Sequence, residues 1–560
     1  MKMTGARMVV RALEAEGIEF VFGIPGGSVI PLYDALMDAR FRVILTRHEQ
    51  AACHAADGYA RASGKTGVCI ATSGPGAMNL LTGLANAQMD SVPLVAITGQ
   101  VASGSIGTDA FQEADIFGSS LSQVKHSYLV RSLEELPVAL RRAFSIASEG
   151  RPGPVLVDLP VDLQREEGLF HYPDDVRAKG GPSKTSDTDP GIIDACDALA
   201  ASTRPMIIAG GGSSSGTASK NLKALAEKFS IPVATTLLGK GVFPESHPLS
   251  LGMIGMHGTP QSNLAASRCD VLVAVGMRFS DRCTGDRTRF ARGARIVHID
   301  IDASELNKNI EAAVALHGDA GEILEAILRH LENKPPRDRT DWLEEIDEIK
   351  ARWPLMKPAL EGDGPLSTPA VILGMRERIS EGHVLTTEVG QHQMWAALYW
   401  KSERPRNFIT SGGLGTMGYG LPAAIGAAFA RPGQPVTCLA GDGSLMMNLQ
   451  ELETCARYNL PVRIILINNA SLGMVRQWQE LFWNKRYSQT CERTFCDFTA
   501  LALNMGVRSF FADSPAGLEK ALDGAFSAEG PSLVECAVPP EEKVLPMVPP
   551  GEALDAFIHG

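Results

Sequence analysis

Short apolar runs that end in glycine-containing turns recur along the first part of the chain. These runs span residues 19–22, 42–45, 68–72, 92–97 and 154–158. Segments with helical spacing of apolar residues, such as 8–16, lie between them. This alternation predicts parallel strands that helices cover on both faces. In such sheets, ligands bind beyond the carboxyl ends of the strands, where the glycine turns lie.

Two further blocks repeat the pattern. The second has apolar runs at 205–209, 232–235, 271–275 and 295–300, and the third at 384–387, 436–440 and 462–467. A charged helical stretch over about 320–352 closes the second block. The pattern therefore predicts an α/β protein with three doubly wound parallel-sheet domains. The first and third domains could share one architecture.

Changes in composition divide the chain further. Residues 166–190 are polar and rich in Pro, Lys, Ser, Thr and Asp, which is typical of a linker. The predicted divisions are a first domain at 1–165, a linker at 166–190, a middle domain at 191–335, a second linker at 336–366, a third domain at 367–536 and a C-terminal tail at 537–560.

Charge and composition exclude several classes of function. The 560 residues carry 52 Lys plus Arg against 64 Asp plus Glu, a net charge of −12, so nucleic acid is not an expected partner. None of the ten cysteines forms a Cys-x-x-Cys pair, which is typical of a reduced cytoplasmic protein. The uncharged runs 66–89 and 407–430 contain several glycines and a proline, so no membrane span is expected.

A metal site is predicted in the third block. Asp442 lies between two glycines directly after an apolar run, and Asn469 follows the next run, 27 positions later. One strand–helix–strand unit therefore brings both side chains to the same sheet edge. Carboxylate and amide oxygens suit Mg²⁺, which commonly also binds phosphate oxygens. A metal-bridged diphosphate is the expected ligand. In the first block, Glu49 follows the 42–45 run and is a candidate carboxylate.

The chain resembles the acetohydroxyacid synthase (acetolactate synthase) large-subunit family of the thiamine-diphosphate enzymes over nearly its full length. The matching motifs are Phe22-Gly-Ile-Pro-Gly-Gly27, Arg47-His-Glu-Gln50, Ala56-Asp-Gly-Tyr-Ala-Arg61, Thr72-Ser-Gly-Pro-Gly-Ala77, Gly107-Thr-Asp-Ala-Phe-Gln-Glu113, Arg151-Pro-Gly-Pro154, Gly255-Met-His-Gly258, Met277-Arg-Phe-Ser-Asp-Arg282, Gly415-Thr-Met-Gly-Tyr-Gly420, Gly441-Asp-Gly443, Asn468-Asn469, Gly473-Met-Val-Arg-Gln-Trp-Gln479 and Arg486-Tyr-Ser488. Gly-Asp-Gly with Asn-Asn indicates only the thiamine-diphosphate superfamily. Phe-Gln-Glu and Met-Val-Arg-Gln-Trp-Gln are much more specific motifs.

The resemblance implies thiamine diphosphate and Mg²⁺ as cofactors. Glu49 would hydrogen-bond to the cofactor's pyrimidine ring, in a buried apolar setting that raises its pKa. Asp442, Asn469 and the backbone carbonyl of Ser471 would hold Mg²⁺, and Met417 would support the bent cofactor. Further cofactor contacts are expected at Gly26, Gly27, Gln391, His392, Gly441, Gly443, Ser444, Gly473 and Met474.

The resemblance also implies a structural FAD in the middle domain. Gly210-Gly-Gly212 follows an apolar run but forms no complete G-x-G-x-x-G fingerprint. By itself this turn is therefore weak evidence for a dinucleotide site. The positions expected around FAD are Arg151, Gly210, Gly211, His257, Arg278, Asp300 and Asp319.

The implied reaction decarboxylates pyruvate and condenses the two-carbon unit with a second 2-oxo acid, pyruvate or 2-oxobutyrate, in valine, leucine and isoleucine biosynthesis. Arg282 would pair with the carboxylate of that acid, and Trp478 would shape the pocket for its side chain. Phe111 and Gln112 would lie near the reacting centre.

The resemblance further implies assembly. A homodimer or homotetramer with active sites at the subunit interface is expected, and a small regulatory subunit is a further expected partner. The tail segment 544–551 would fold over the site and exclude water.

One departure keeps alternatives open. Val161 stands where these synthases usually carry a lysine that lines the substrate channel. A related thiamine-diphosphate carboligase or decarboxylase acting on another 2-oxo acid is therefore the alternative function. A nicotinamide dehydrogenase using the 210–212 turn would leave Asp442 and Asn469 unexplained. A non-catalytic paralogue is disfavoured because Glu49 is retained as well.

Overall fold

Each predicted block forms one six-stranded sheet in which all neighbouring strands are parallel. The computed structural model describes residues 1–174, 176, 186, 188–380, 382–491 and 496–559. Helices cover both faces of each sheet, and one apolar cluster is continuous between the first and third domains. The predicted α/β class with three doubly wound parallel-sheet domains is confirmed.

The first domain contains eight strands and eight helices. The strands are β1 (Lys2–Thr4), β2 (Phe20–Gly23), β3 (Arg42–Leu45), β4 (Gly67–Ala71), β5 (Leu94–Gln100), β6 (His126–Leu129), β7 (Pro154–Pro160) and β8 (Glu167–Leu169). The helices are α1 (Gly5–Ala15), α2 (Ile30–Leu36), α3 (Glu49–Ser63), α4 (Pro75–Met78), α5 (Leu81–Met89), α6 (Ile116–Ser120), α7 (Leu136–Ser148) and α8 (Val161–Arg165).

The middle domain contains six strands and six helices. The strands are β9 (Pro205–Ala209), β10 (Val233–Thr235), β11 (Ser250–Met253), β12 (Val271–Val275), β13 (Arg295–Asp300) and β14 (Val314–His317). The helices are α9 (Pro190–Ala201), α10 (Gly216–Phe229), α11 (Pro260–Arg268), α12 (Asp281–Thr284), α13 (Ala320–His330) and α14 (Thr340–Arg352).

The described residues of the third domain form six strands and eight helices. The strands are β15 (Val384–Thr387), β16 (Phe408–Thr410), β17 (Val436–Gly441), β18 (Val462–Asn468), β19 (Arg508–Ala512) and β20 (Ser532–Ala537). The helices are α15 (Thr368–Arg376), α16 (Gln391–Tyr399), α17 (Gly420–Ala430), α18 (Asp442–Leu445), α19 (Glu451–Arg457), α20 (Gly473–Phe482), α21 (Phe498–Asn504) and α22 (Pro515–Phe526).

The strand orders explain where ligands can bind. The first and third sheets have the orders β3-β2-β4-β5-β7-β6 and β16-β15-β17-β18-β20-β19, so each is 2-1-3-4-6-5 when its strands are counted along the chain. The middle sheet, β11-β10-β9-β12-β13-β14, is 3-2-1-4-5-6, the order of dinucleotide-binding sheets. The chain reverses direction across the sheet at β2/β4, β9/β12 and β15/β17. A crevice for ligands opens at such a reversal.

The two predicted linkers contain ordered elements. β8 lies within 166–190 and pairs antiparallel with β1, so this strand ties the start of the segment to the first domain. Residues 175, 177–185 and 187 of that linker lie outside the described residues. α14 lies within 336–366 and buries Trp342, whose Nε1 donates to the carbonyl of Pro205 at 3.0 Å. The domain boundaries themselves stay predictions.

Helices α3 and α17 join the first and third domains at very close range. A Cβ atom at Gly426 would fall 1.8 Å from the carbonyl oxygen of Ala55, and one at Gly58 would fall 2.2 Å from that of Ala423. Only glycine fits at either position, because a Cβ there would overlap the partner backbone. The crossing fixes α3, which begins at Glu49, against the helix that follows Met417.

No helix in the described part of the chain is long and apolar enough to cross a membrane.

Candidate active site

The structure brings the predicted metal-binding residues together beyond β17 and β18. Asp442 begins α18, and the backbone N–H of Ser471 donates to its Oδ2 at 3.3 Å. The side-chain Nδ2 of Asn469 donates to Oε1 of Gln391 at 3.2 Å. This bond fixes the amide so that its nitrogen faces Gln391 and its oxygen remains available as an acceptor. Oxygen donors from adjacent strand ends thus face one crevice.

The walls of this crevice leave no room for larger side chains. A Cβ at Gly473 would lie 2.1 Å from Oε1 of Gln391 and 2.6 Å from Nδ2 of Asn469. Next to it, the buried His392 has an Nε2 atom with no hydrogen-bond partner, and burial lowers its pKa to about 4. A neutral imidazole with an unpartnered nitrogen fits a site that a polar ligand completes.

Sequence reasoning missed Glu388, which follows β15 at the same reversal. This fully buried carboxylate accepts from the backbone N–H of Gly418 at 2.7 Å, from that of Leu421 at 3.1 Å and from the Ser444 hydroxyl at 2.8 Å. It therefore ties the turn after Met417 to the Gly441–Ser444 turn. The sequence signal that could have identified Glu388 is its position directly after an apolar strand, which it shares with Asp442.

The loop before Met417 is held by a buried ionic network from the first domain. Asp90 accepts from the backbone N–H groups of Gly413 at 2.7 Å and Gly412 at 2.9 Å. Arg61 donates to the same carboxylate at 2.8 Å. Because the charges are paired and hydrogen-bonded, their burial is tolerated, and removing one partner would leave the other uncompensated. Met417 is thus held by contacts from two domains.

Glu49 follows β3, the edge strand of the first sheet, and lies beside the segment after β4. It is the first residue of α3, whose N-terminus is capped by His48 through a bond from the Gln50 N–H to Nδ1 at 3.1 Å. Its Oε2 accepts from Nδ2 of Asn79 at 3.0 Å. The sequence predicted a buried apolar setting, but Glu49 is half-buried because this edge of the domain is open in a single chain.

The predicted residues around Glu49 line the same edge. A Cβ at Gly26 would lie 2.5 Å from the Thr72 side chain, so the turn containing Gly26 and Gly27 packs on the loop after β4. Gln112 has a positive φ of 59° and packs against Gly74. Phe111 is 89% exposed and contributes nothing to the apolar core.

A cavity of about 960 Å³ lies where the three domains meet. Met417, Met474, Trp478 and Arg282 contribute to its lining. The guanidinium of Arg282 lies over the Trp478 ring at 5.7 Å from its centroid, which brings together the two residues predicted for the second substrate. Arg282 also pairs with Asp281 at 3.4 Å, but its side chain is 59% exposed, so the pair is weak and the charge stays accessible.

The residues predicted to contact FAD surround the middle-domain side of this cavity. Arg151, Gly211, His257, Arg278, Asp300 and Asp319 contribute to its lining. Gly210 lies at the β9/β12 reversal, where its Cβ would fall 2.1 Å from the carbonyl oxygen of Gly276. Nδ1 of the buried His257 has no partner, and burial lowers its pKa to about 4.

Other groups on this side already have protein partners. Arg151 forms ion pairs with Asp302 at 3.1 Å and Glu305 at 2.7 Å. Asp319 caps α13 by accepting from the Gly321 N–H at 2.8 Å. Burial raises the pKa of Asp300 to about 6. These contacts shape the pocket walls.

The C-terminal tail crosses from the third domain to the middle domain beside the cavity. The backbone N–H of Val544 donates to Oε1 of the buried Gln477 at 2.9 Å, and Nε2 of Gln391 donates to the same oxygen at 2.8 Å. Further along, the N–H of Val548 donates to the carbonyl of Met256 at 2.7 Å. The tail is therefore tied both to the crevice predicted to bind metal and to the loop that carries His257.

The site residues form two groups within one chain. The cavity lining in the described residues includes Met417 and Trp478 but not Glu49, Phe111 or Gln112. The residues predicted to lie on the pyrimidine side thus occupy their own domain edge.

Comparison with known proteins identifies the family. Three profiles match: "Thiamine pyrophosphate enzyme, N-terminal TPP binding domain" over 3–119, the central domain over 192–327, and the C-terminal TPP binding domain over 388–536. The chain is 47% identical to the acetolactate synthase isozyme 2 large subunit of Escherichia coli, over 98% of both chains. It is 46% identical to the acetolactate synthase large subunit of Parasynechococcus marenigrum, over 98% of this chain and 90% of that protein. It is 44% identical to the acetolactate synthase of Mycobacterium bovis, over 99% of this chain and 91% of that protein. The chain therefore belongs to the acetolactate synthase large-subunit family of thiamine pyrophosphate enzymes.

Proposed function

We propose that this enzyme decarboxylates pyruvate at a site between Glu49 and the Asp442–Asn469 crevice and joins the two-carbon unit to a second 2-oxo acid. The observation that carries the proposal is the placement of oxygen donors at the β15/β17/β18 edge next to a cavity lined by Arg282 and Trp478. When bound, thiamine diphosphate supplies a thiazolium carbanion that adds to the 2-oxo group and accepts the electrons released with CO₂.

The residues present fit a magnesium diphosphate. Asp442, the Asn469 amide oxygen and the Ser471 carbonyl would hold Mg²⁺, since all three are hard oxygen donors. Gly473 allows Gln391 and Asn469 to pack closely against the start of α20, and the unpartnered His392 nitrogen is available to the diphosphate. Met417 would support the bent cofactor, held by Glu388 on one side and the Asp90 network on the other.

Glu49 would act on a proton rather than on the substrate. Its carboxyl group would hydrogen-bond to the pyrimidine and favour the tautomer that removes the thiazolium proton. The Asn79 side chain orients this carboxyl group at 3.0 Å. Gln112 and Phe111 lie on the same edge and would face the reacting centre.

A homodimer would complete the site. Glu49 lies outside the cavity lining, and Phe111 is almost fully exposed, as expected for residues that meet a second subunit. In a symmetric dimer, the first domain of one chain would face the third domain of the other. A tetramer and a small regulatory subunit remain predictions, as does the cytoplasmic location.

The middle domain would hold FAD as a structural group. Its strand order is that of dinucleotide-binding sheets, and Gly211 and Gly276, at the reversal between β9 and β12, contribute to the cavity lining. The unpartnered Nδ1 of His257 is available as a donor or an acceptor. Net condensation of 2-oxo acids transfers no electrons, so FAD would take no part in the chemistry.

The second substrate would bind through Arg282. Its guanidinium can form two parallel hydrogen bonds to a carboxylate, and the Trp478 ring beneath it would limit the acid's side chain. Val161 begins α8 at the edge of the first domain, where the usual lysine would add positive charge. Because this lysine is absent, other 2-oxo acids should also be tested as substrates.

A competition experiment tests this function. The protein, loaded with thiamine diphosphate, Mg²⁺ and FAD, would receive pyruvate with equimolar 2-oxobutyrate, and the products would be resolved by mass spectrometry. We expect 2-acetolactate and 2-aceto-2-hydroxybutyrate. A panel of other 2-oxo acids would be tested in parallel. If only a different 2-oxo acid gave products, the related carboligase or decarboxylase would be favoured instead.

A further inference from the structure

The segment between β3 and α3 is held by hydrogen bonds from the third domain. The backbone N–H of Leu45 donates to the Tyr458 hydroxyl at 2.8 Å, and that of Arg47 donates to Oε1 of Glu451 at 2.8 Å. The Arg47 guanidinium also pairs with Glu453. Glu451 and Glu453 belong to α19, and Tyr458 directly follows it. One element of the third domain therefore holds the chain just before Glu49.

Glu451 is the unusual member of this group because it is fully buried. Its second oxygen accepts from the Thr454 hydroxyl at 2.7 Å, and the backbone N–H of His48 also stabilises its carboxylate. Burial raises the pKa of Glu451 to about 7. A buried carboxylate is costly unless its oxygens are hydrogen-bonded. The Arg47 N–H and the Thr454 hydroxyl therefore compensate for the burial of the Glu451 carboxylate.

These contacts determine where the Glu49 side chain points. Glu49 is the first residue of α3, so the direction of its side chain follows from the place where the helix begins. The Thr46 hydroxyl donates to the carbonyl of His48 at 3.2 Å, which makes the turn compact. Without an acceptor for the Arg47 N–H, the turn would move toward water to satisfy it, and Glu49 would move with it.

We propose that Glu451 is a positioning residue: by fixing the backbone of Arg47 and His48, it holds the Glu49 carboxyl group at the pyrimidine. This inference rests on the role proposed for Glu49. Glu451 itself would touch neither substrate nor cofactor, and its effect would pass through Glu49 alone.

The test compares E451A and E451Q with E453Q. Glu453 is a matched control because it lies on the same helix and contacts the Arg47 side chain but not the backbone of the segment. In the cofactor-free chain, amide hydrogen exchange over residues 45–52 would be measured by mass spectrometry. We expect faster exchange in E451A than in wild type and wild-type exchange in E453Q.

The second readout is exchange of the thiazolium C2 proton in the enzyme loaded with thiamine diphosphate, Mg²⁺ and FAD. We expect exchange to be about tenfold slower in E451A, less affected in E451Q, which retains one acceptor, and within about twofold of wild type in E453Q. KM for pyruvate should change little. In an E49Q background, E451Q should add no further slowing, because both act on one step.

The possible failures are distinguishable. Wild-type C2-proton exchange in E451A and E451Q, whatever their stability, would show that Glu451 is only structural and would overturn the inference. Additive slowing in the double variant would do the same. Wild-type exchange in E49Q would instead remove the role of Glu49 and with it the proposed function. If E451A does not fold, the comparison of E451Q with E453Q decides.

Discussion

Replacing Gly426 with alanine should separate the two helices that join the first and third domains. The added Cβ would lie 1.8 Å from the carbonyl oxygen of Ala55 and 2.6 Å from the backbone nitrogen of Tyr59. An ordinary contact needs roughly 3.5 Å. The α3 and α17 backbones must therefore move apart by on the order of 1.5 Å at their crossing, since no side chain can rotate away.

The expected cost follows from two opposing effects. Overpacking that forces a backbone shift costs roughly 1–3 kcal/mol. Alanine in a helix interior is favoured over glycine by about 1 kcal/mol, which offsets part of that. We expect a net loss of up to about 2 kcal/mol in the free energy of unfolding. C2-proton exchange in the bound cofactor should also slow, because Glu49 begins α3 and Met417 precedes α17.

Urea denaturation of the cofactor-free protein measures this loss, using the transition in which the first and third domains unfold. Gly374→Ala in α15 is the matched control. Its Cβ would meet only the ends of two leucine side chains, Leu522 at 3.2 Å and Leu518 at 3.4 Å. This variant should be unchanged or up to about 1 kcal/mol more stable. G426A at least as stable as G374A would refute the close crossing.

Three further outcomes follow from the structure. Burial raises the pKa of Asp158 to about 7, so the folded chain holds the Asp158 proton more tightly than the unfolded chain does. Protonated Asp158 therefore stabilises the fold below about pH 4, and this stabilisation is lost as pH rises through 7. D158N mimics the protonated form, and its urea stability relative to wild type should therefore be higher at pH 8 than at pH 5; a constant difference would contradict this. D442N should weaken Mg²⁺-dependent thiamine diphosphate binding at least about tenfold by calorimetry, because it removes a charged ligand; unchanged affinity would exclude Asp442 as a ligand. R282K should retain CO₂ release from pyruvate but lose most acetolactate, because lysine cannot form the two-point carboxylate contact; equal loss of both products would place Arg282 elsewhere in the reaction.

The central strands and the polar turns that follow them could be predicted from sequence because their signals are local. The apolar run at 462–467 and the polar pair after it lie within ten residues, and β18 ends at Asn468 as the pattern requires. β14 and β16 were missed because they are short, and β14 alternates buried and exposed residues at a sheet edge. β20 was missed because Glu535 interrupts its apolar pattern, although Asn468 satisfies that carboxylate at 2.7 Å.

The supports of the site could not be predicted in the same way. A glutamate such as Glu388 or Glu451 resembles a solvated surface residue until the fold supplies its donors, and those donors are backbone groups distant in sequence. The crossing of α3 and α17 depends likewise on two glycines whose partners lie more than 350 positions away. Such contacts depend on the packing of domains rather than on local periodicity.

The most direct measurement of the central claim is the product formed from pyruvate alone. The wild-type protein, loaded with thiamine diphosphate, Mg²⁺ and FAD, would be incubated with pyruvate, with E49Q as the comparison. Wild type should form one acetolactate for each CO₂ released, and E49Q should form both products much more slowly. A correctly folded, cofactor-loaded protein that forms no acetolactate from pyruvate would contradict it.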